Sequence, residues 1–339
     1  MLYAKELEST INDLVQKGRG ILAADESVPT MAKRFQAIGV SANEESRRVW
    51  RNLLVTTEGL GDYISGIILF DETLSQQADT GFLIPQAAWA QKIVPGVKVD
   101  QGKVPLALSV GDTITQGLDG LAERLRVYKA QGARFAKWRA VYEITHKTPS
   151  GQGLAANAEV LARYAAVCQA EGLVPIVEPE VLMDGDHDID RHAVVTEEVQ
   201  QAVFQALRRH HVVLELILLK PNMVLPGISC RRAKPKEVAM ATLKVLRRTV
   251  PAVVPSIHFL SGGQAPEEAT ENLNALNQLG HKSPWKLSLS YGRALQQPPL
   301  QIWRGESANL QAAQQALLKR ARLNHLAILG DYHRALENT

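Results

Sequence analysis

The feature that most limits what this chain can fold into is a repeated alternation. A short apolar stretch with strand character is followed by a stretch with helical periodicity, and the pair recurs along the whole sequence. The strand candidates are Gly20–Glu26, Gly66–Glu72, Pro105–Gly111, Phe135–Val141, Val174–Glu180, Leu214–Lys220, Ile257–Gly263 and Lys286–Arg293. Helical patterns lie between most of them: GLDGLAERLRVYKAQG precedes the fourth, TEEVQQAVFQALRRHH the sixth, KEVAMATLKVLRRT the seventh and APEEATENLNALNQLG the eighth. Several end in basic residues or glycine, as helix C-termini do. Strands that alternate with helices imply a parallel sheet. Eight such units predict an α/β protein built as a closed (β/α)8 TIM barrel rather than an open doubly wound sheet. An extra helix over Glu6–Gln16 precedes the first strand. No low-complexity tract or break in composition divides the chain. Residues 1–339 are therefore expected to form one barrel domain, with those after about 327 a short C-terminal tail. Barrels of this kind often exceed the usual domain size, and a 45% hydrophobic content supplies the core.

The formal charge is +3, and the arginine pairs Arg47-Arg48, Arg208-Arg209, Arg231-Arg232 and Arg247-Arg248 are scattered. A nucleic-acid surface would concentrate its basic residues; a local basic pocket for an anionic small molecule stays open. Two cysteines, Cys168 and Cys230, are too few for a disulfide scaffold and form no zinc pattern. Cys168 lies in an amphipathic helical pattern and reads as a buried structural thiol. The N-terminus carries Lys5, Glu6, Glu8 and Asp13 and has no uninterrupted apolar region of a signal peptide. No apolar run approaches a membrane span. These features predict a soluble cytoplasmic protein without a nucleic-acid or membrane partner.

In parallel barrels the chemistry collects at the C-terminal ends of the strands, and this chain places its unusual polar residues there. Lys220 is the most informative. Five of the six residues from Leu214 to Leu219 are apolar, and Pro221 ends the strand. Lysine is rarely buried without a reason. Burial disfavours the charged form of an amine, and the neutral form is a nucleophile toward carbonyls. Asp25 ends the first strand, Lys137 and Arg139 lie on the fourth, and Glu178 and Glu180 on the fifth. Strand residues two apart share a face, so each of these pairs points one way. Charges pointing inward are costly unless they meet each other or a ligand. Ser261-Gly262-Gly263 ends the seventh strand and can present successive backbone N–H groups to an anion. Ser290, Gly292 and Arg293 end the eighth, and the loops after strands seven and eight often bind phosphate in this fold.

Other motifs carry less. MDGDHDID sets Asp184, Asp186 and Asp188 at calcium-loop spacing. Ile189 stands where that loop needs glycine, however, and Val195 where it needs glutamate. His210-His211 are adjacent and do not share a helix face. His187, His192 and His258 have no common ligand spacing. No metal site is expected.

The segments GILAADES, ILFDETL, GVKVDQG, TQGLDGL, FAKWR, ANAEVLARYA, VPIVEPE, DGDHD, LLKPNMV, LRRTVP, FLSGGQ, LNALN and SYGRALQ occur in this order. From about Gly18 to about Gly330 the chain resembles class I fructose-1,6-bisphosphate aldolase, the Schiff-base type. FAKWR, LLKPNM and SYGRAL together are highly specific. The resemblance implies a (β/α)8 barrel that is commonly a homotetramer and uses no metal or other cofactor beyond a covalent imine. By position, the imine-forming lysine falls on Lys220 and the proton-transfer glutamate on Glu178, with Glu180 beside it. The aspartate that takes the sugar hydroxyl proton falls on Asp25. The lysine that holds charge beside the reacting carbons falls on Lys137, next to Arg139. The C1-phosphate contacts fall on Ser261, Gly262, Gly263, Ser290 and Arg293, with Gly292 between the last two. The C6-phosphate region falls on Ser27, Lys33, Arg34 and Lys98.

Two departures stand out. Val28-Pro29 occupies the place of a small Thr-Gly pair, and Thr30 that of a serine. Animal members end in a mobile tail whose terminal tyrosine assists a proton transfer. Here Tyr332 is followed closely by Thr339, and that role is left unassigned. The resemblance implies reversible cleavage of fructose 1,6-bisphosphate in glycolysis, gluconeogenesis or a related sugar-phosphate pathway. A Schiff-base aldolase for another ketose bisphosphate, such as sedoheptulose 1,7-bisphosphate, and a non-catalytic barrel scaffold are the alternatives. A metal-dependent aldolase is disfavoured by the histidine spacing.

Overall fold

The computed structural model describes residues 2–338. In chain order its strands are β1 (Gly20–Ala24), β2 (Ile64–Leu69), β3 (Val94–Lys98), β4 (Lys103–Pro105), β5 (Thr113–Thr115), β6 (Phe135–Tyr142), β7 (Val174–Val181), β8 (Leu218–Leu219), β9 (Ser256–Phe259) and β10 (Lys286–Tyr291). Among the described residues, eight of them close a parallel barrel in the order β1-β10-β9-β8-β7-β6-β3-β2, while β4 and β5 form a separate antiparallel hairpin. Helices connect the barrel strands outside, so the expected (β/α)8 architecture is the one observed.

Period-two alternation divides each strand between two cores. On β6, Ala136, Trp138, Ala140 and Tyr142 join the large cluster under the outer helices, whereas Phe135 belongs to the cluster inside the barrel. On β7, Val177 and Val181 face outward, and Val174 and Ile176 inward. Ile21 and Ala23 on β1, Ile68 on β2, Val94 on β3, Leu218 on β8 and Leu216 just before it also belong to the inner cluster. The helix Ala4–Leu14 closes the lower mouth by burying Leu7, Ile11 and Leu14 in that cluster. Their spacing of four and three is one helix face. This is the extra N-terminal helix, begun two residues earlier than its sequence pattern suggests.

Two strand expectations are corrected. The third barrel strand is Val94–Lys98, not Pro105–Gly111. The latter alternates well, but its side chains reach solvent: Leu108, in the loop that joins β4 to β5, is fully exposed with φ of 60°. The true strand contains Pro95 and Gly96, which read as strand breakers. Gly96 is needed because a Cβ there would lie 2.3 Å from the Phe135 ring. The sixth strand is also shorter than Leu214–Lys220. Leu214–Leu216 is a 3-10 turn, and Leu218–Leu219 alone forms β8. The ladder still reaches the lysine, since the Lys220 N–H donates to the Val177 carbonyl at 2.8 Å. Near the C-terminus a long helix runs to Leu329, two residues beyond the expected boundary. Tyr332 is buried, and its hydroxyl donates to Glu337, which also pairs with Arg320.

Candidate active site

The alternation that builds the inner cluster also builds the site. Residues two apart share the inward face. Ile21-Ala23-Asp25, Phe135-Lys137-Arg139, Val174-Ile176-Glu178-Glu180 and Leu216-Leu218-Lys220 are therefore columns that begin apolar and end charged. The charged ends meet above the plug in a cleft of about 920 Å³, large enough for a phosphorylated sugar.

Glu178 is the centre. Its Oε1 lies 3.1 Å from Lys220 Nζ and its Oε2 lies 3.1 Å from Lys137 Nζ. Lys137 Nζ is also 2.6 Å from Asp25 Oδ2. Lys137, Glu178 and Lys220 are each less than 5% exposed. An unpaired ion at this depth would cost several kcal/mol, so the four charges must stabilise one another. Burial alone would raise the Asp25 and Glu178 carboxyls, but Lys137 and Lys220 outweigh it and hold both low. Burial would likewise pull Lys137 down, yet Asp25 and Glu178 raise it. Lys137 is thus a cation held between two carboxylates. The surroundings of Lys220 are less apolar than its sequence suggests. Its ammonium has a carboxylate partner, and that carboxylate can accept its proton.

A second tier surrounds the quartet. Arg139 pairs with Glu180. Lys98 Nζ contacts Asp100 Oδ1 at 2.6 Å. On the opposite wall the Ser261-Gly262 turn and Ser290 line the cleft, with Gly262 at φ of 55°. Arg293 begins a helix directly after Gly292, and its Nη2 donates to the Gly262 carbonyl at 2.6 Å. A guanidinium, an open helix N-terminus and a turn converge there, a combination suited to phosphate. The Ser290 hydroxyl is buried without a partner.

The structure brings most of the expected residues to this cleft: Asp25, Lys137, Glu178, Glu180 and Lys220, with Ser27, Arg34, Lys98, Arg139, Ser261, Gly262, Ser290, Gly292 and Arg293. It does not bring Lys33, which is exposed on the helix Val28–Gln36. Gly263 turns toward an adjoining smaller cavity and packs on Met183, whose sulfur a Cβ would meet at 2.6 Å. Arg34 is already engaged, with Nη1 2.5 Å from Glu26 Oε1. Sequence reasoning passed over Glu26 and Asp100. Asp100 follows Lys98 by two residues, so the same-face rule could have found it. Glu26 is held by Arg51 at 2.9 Å and Gln296 at 2.7 Å, side chains with no local signal.

Two lysines thus share one buried carboxylate and face a Ser-Gly turn and an arginine across a cleft inside a parallel barrel, the arrangement of a barrel enzyme. Comparison with known proteins specifies it further. The family described as fructose-bisphosphate aldolase class-I matches residues 6–339. Fructose-bisphosphate aldolase C of Pan troglodytes is 53% identical over 97% of this chain and 91% of its own length. The cytosolic fructose-bisphosphate aldolase 4 of Arabidopsis thaliana is 55% identical over 93% of this chain and 80% of its own length. A solved fructose-bisphosphate aldolase of Plasmodium falciparum, in complex with TRAP and a small-molecule inhibitor, superposes with a TM-score of 0.96 at 48% identity, covering 98% of this chain and 96% of that one. The chain belongs to the class-I fructose-bisphosphate aldolase family.

Proposed function

We propose that Lys220 is the imine-forming residue of this aldolase and that Glu178, Lys137 and Asp25 handle its protons and charge. The observation that carries the assignment is the shared carboxylate: Glu178 holds Lys220 by one oxygen and Lys137 by the other, both at 3.1 Å. Lys220 gives a proton to Glu178, and its free amine attacks C2 of fructose 1,6-bisphosphate. Glu178 returns protons as the C2 oxygen leaves as water, which yields a protonated imine. That cation is the electron sink that makes the covalent step worthwhile. Asp25 takes the C4 hydroxyl proton, the C3–C4 bond breaks, and its electron pair moves into the imine. Glyceraldehyde 3-phosphate departs. The enamine is protonated at C3, and hydrolysis releases dihydroxyacetone phosphate and the lysine. Lys137 keeps its charge throughout, so two lysines a few ångströms apart have opposite duties set by their partners. Arg293 and the Ser261-Gly262 turn hold the C1-phosphate. Ser27, Arg34 and Lys98 face the other end of the substrate, where Arg34 must exchange Glu26 for phosphate if it is to contribute.

No metal takes part in this scheme. Among the described residues, no three His, Cys, Asp or Glu side chains are grouped to hold one. The near-complete match to fructose-bisphosphate aldolases does not favour another ketose bisphosphate or a silent scaffold. A homo-oligomer, a tetramer by family analogy, acting in the cytoplasm completes the proposal. No described helix is long and apolar enough to cross a membrane. The test is oxygen exchange at C2 of labelled dihydroxyacetone phosphate, which requires the imine. The wild type should wash the label into water and Lys220→Met should not; persistent exchange in the variant removes Lys220 from the role.

A further inference from the structure

Lys220 is presented to Glu178 by the shortest strand of the barrel. β8 is two residues long and pairs with β7 only at Ile176–Leu218 and Val177–Leu219. One further rung follows, from the Lys220 N–H to the Val177 carbonyl at 2.8 Å. In a parallel ladder the N–H groups that face one neighbour recur at every second residue. On β7 the Leu182 N–H bonds the Tyr142 carbonyl on β6, so the Val181 N–H faces β8. Two residues before Val181 stands Pro179, which has no N–H to give. The rung that would have bonded the Lys220 carbonyl is therefore missing.

Asn222 restores the connection with its side chain. Its Oδ1 accepts the Val181 N–H at 2.8 Å, the bond that a backbone carbonyl of a longer β8 would make. Its Nδ2 donates to the Thr196 hydroxyl at 3.2 Å and to the Met223 carbonyl at 3.1 Å. An amide nitrogen cannot accept, so the oxygen has to face Val181. Thr196 lies on the helix Ile189–Arg209, with its Oγ1 3.3 Å from His192 Nδ1. Asn222, Thr196 and His192 are all buried. Asn222 does not line the reaction cleft; it borders the smaller cavity beside it. The contact between Lys220 and Glu178 thus lies between two ties to β7, one made by backbone at Val177 and one by a side chain at Val181. The Leu260 N–H donates to the Pro221 carbonyl at 3.0 Å, which ties the same segment to the end of β9 but not to β7.

We propose that Asn222 is a positioning residue for the imine chemistry: its carboxamide replaces the backbone rung that Pro179 and the end of β8 remove, and so holds Lys220 Nζ within proton-transfer distance of Glu178. This role rests on the assignment of Lys220 as the imine-forming lysine. Asparagine suits the position because one side chain must accept from Val181 and donate to Thr196 at once. The Ser261-Gly262 turn and Arg293 follow other strands. Loss of the rung should therefore slow the steps at Lys220 and leave the phosphate contacts in place.

The test is C2 oxygen exchange of labelled dihydroxyacetone phosphate, with kcat and KM for fructose 1,6-bisphosphate, each per folded molecule and at the variant's own pH optimum. Asn222→Leu should slow exchange and kcat about tenfold to a hundredfold, the scale of a misplaced reacting group, while KM changes far less. Thr196→Val removes a neighbouring buried hydrogen bond but leaves the tie to Val181, so it should lower Tm and exchange near the wild-type rate. Asn222→Asp keeps an acceptor for the Val181 N–H and should recover most of the exchange. Normal exchange in folded Asn222→Leu would overturn the role, as would equal losses in all three variants. If Asn222→Leu does not fold, the other two decide: near-normal exchange in both supports the tie, and a loss of about tenfold or more in either overturns it. Lys220→Met in the same assay separates the two assignments. Exchange in that variant removes Lys220 itself, whereas a silent Lys220→Met beside a fully active Asn222→Leu removes only Asn222.

Discussion

The lower and upper halves of the barrel interior are made by the same strands and differ almost completely in character. Below, Phe135, Val174, Ile176, Leu216 and Leu218 fill the space under the helix Ala4–Leu14. Above, two to four residues further along the same strands, Lys137, Glu178 and Lys220 carry buried charge. The difference teaches how a barrel can keep ions in its interior. The apolar half supplies the burial that stabilises the fold, and the charged half is tolerated because each ion meets an opposite one. Stability and chemistry are thereby separated along the barrel axis, and substitutions should sort by height.

The largest effect should come from Lys220→Met. Cleavage should fall below detection. Stability should change little, because the side-chain volume is nearly conserved and Glu178 retains Lys137. Circular dichroism and a denaturant titration alongside the assay check both halves of the statement; a variant that unfolds would break the separation. Phe135→Ala should do the reverse. It empties the centre of the plug, where the ring fills the space left by Gly96, and should cost about 3–5 kcal/mol. Activity per folded molecule should be nearly retained. If turnover falls as far as stability, the two halves are coupled.

Much of this division was legible in the sequence, because period two survives wherever a strand is long. FAKWRAVY and VPIVEPEV pair over eight residues, so Lys137, Arg139, Glu178 and Glu180 could be placed on one face from spacing alone. Where the strand is short or unusual, pattern fails. Lys220 follows a two-residue strand, and its position was marked by the contrast of one lysine with its neighbours, not by periodicity. Its ion pair with Glu178 could not be foreseen from a segment that contains no partner. Val94–Lys98 was missed because packing against Phe135 demands the glycine that propensity counts against a strand. Glu26 was missed because Arg51 and Gln296 approach it from 25 and 270 residues away.

A third prediction sharpens the account of the upper half by dividing it into reacting and anchoring parts. Arg293→Ala should weaken use of fructose 1,6-bisphosphate roughly tenfold to a hundredfold, since a charge-assisted hydrogen bond contributes about 1.5–3 kcal/mol. Turnover should fall as well as affinity, because binding energy at the phosphate positions C2 against Lys220. Fructose 6-phosphate, which lacks the C1-phosphate, should be nearly indifferent. Equal relative losses on both sugars would make Arg293 a support of the Gly262 turn rather than a phosphate ligand. The smallest effect expected is none: dialysis against EDTA should leave activity unchanged, because the imine supplies the electron sink. Loss of activity restored by zinc would reject that chemistry.

The central claim is that Lys220, held by Glu178 above an apolar plug, becomes covalently bound to the ketone. Borohydride reduces an imine to a stable amine and so records which lysine carried it. Wild-type protein treated with dihydroxyacetone phosphate and borohydride, then digested and analysed by mass spectrometry, should be inactivated with the added mass on the peptide containing Lys220 and on no other. A label on Lys137 or any other lysine, or full activity with no label at all, would contradict the account.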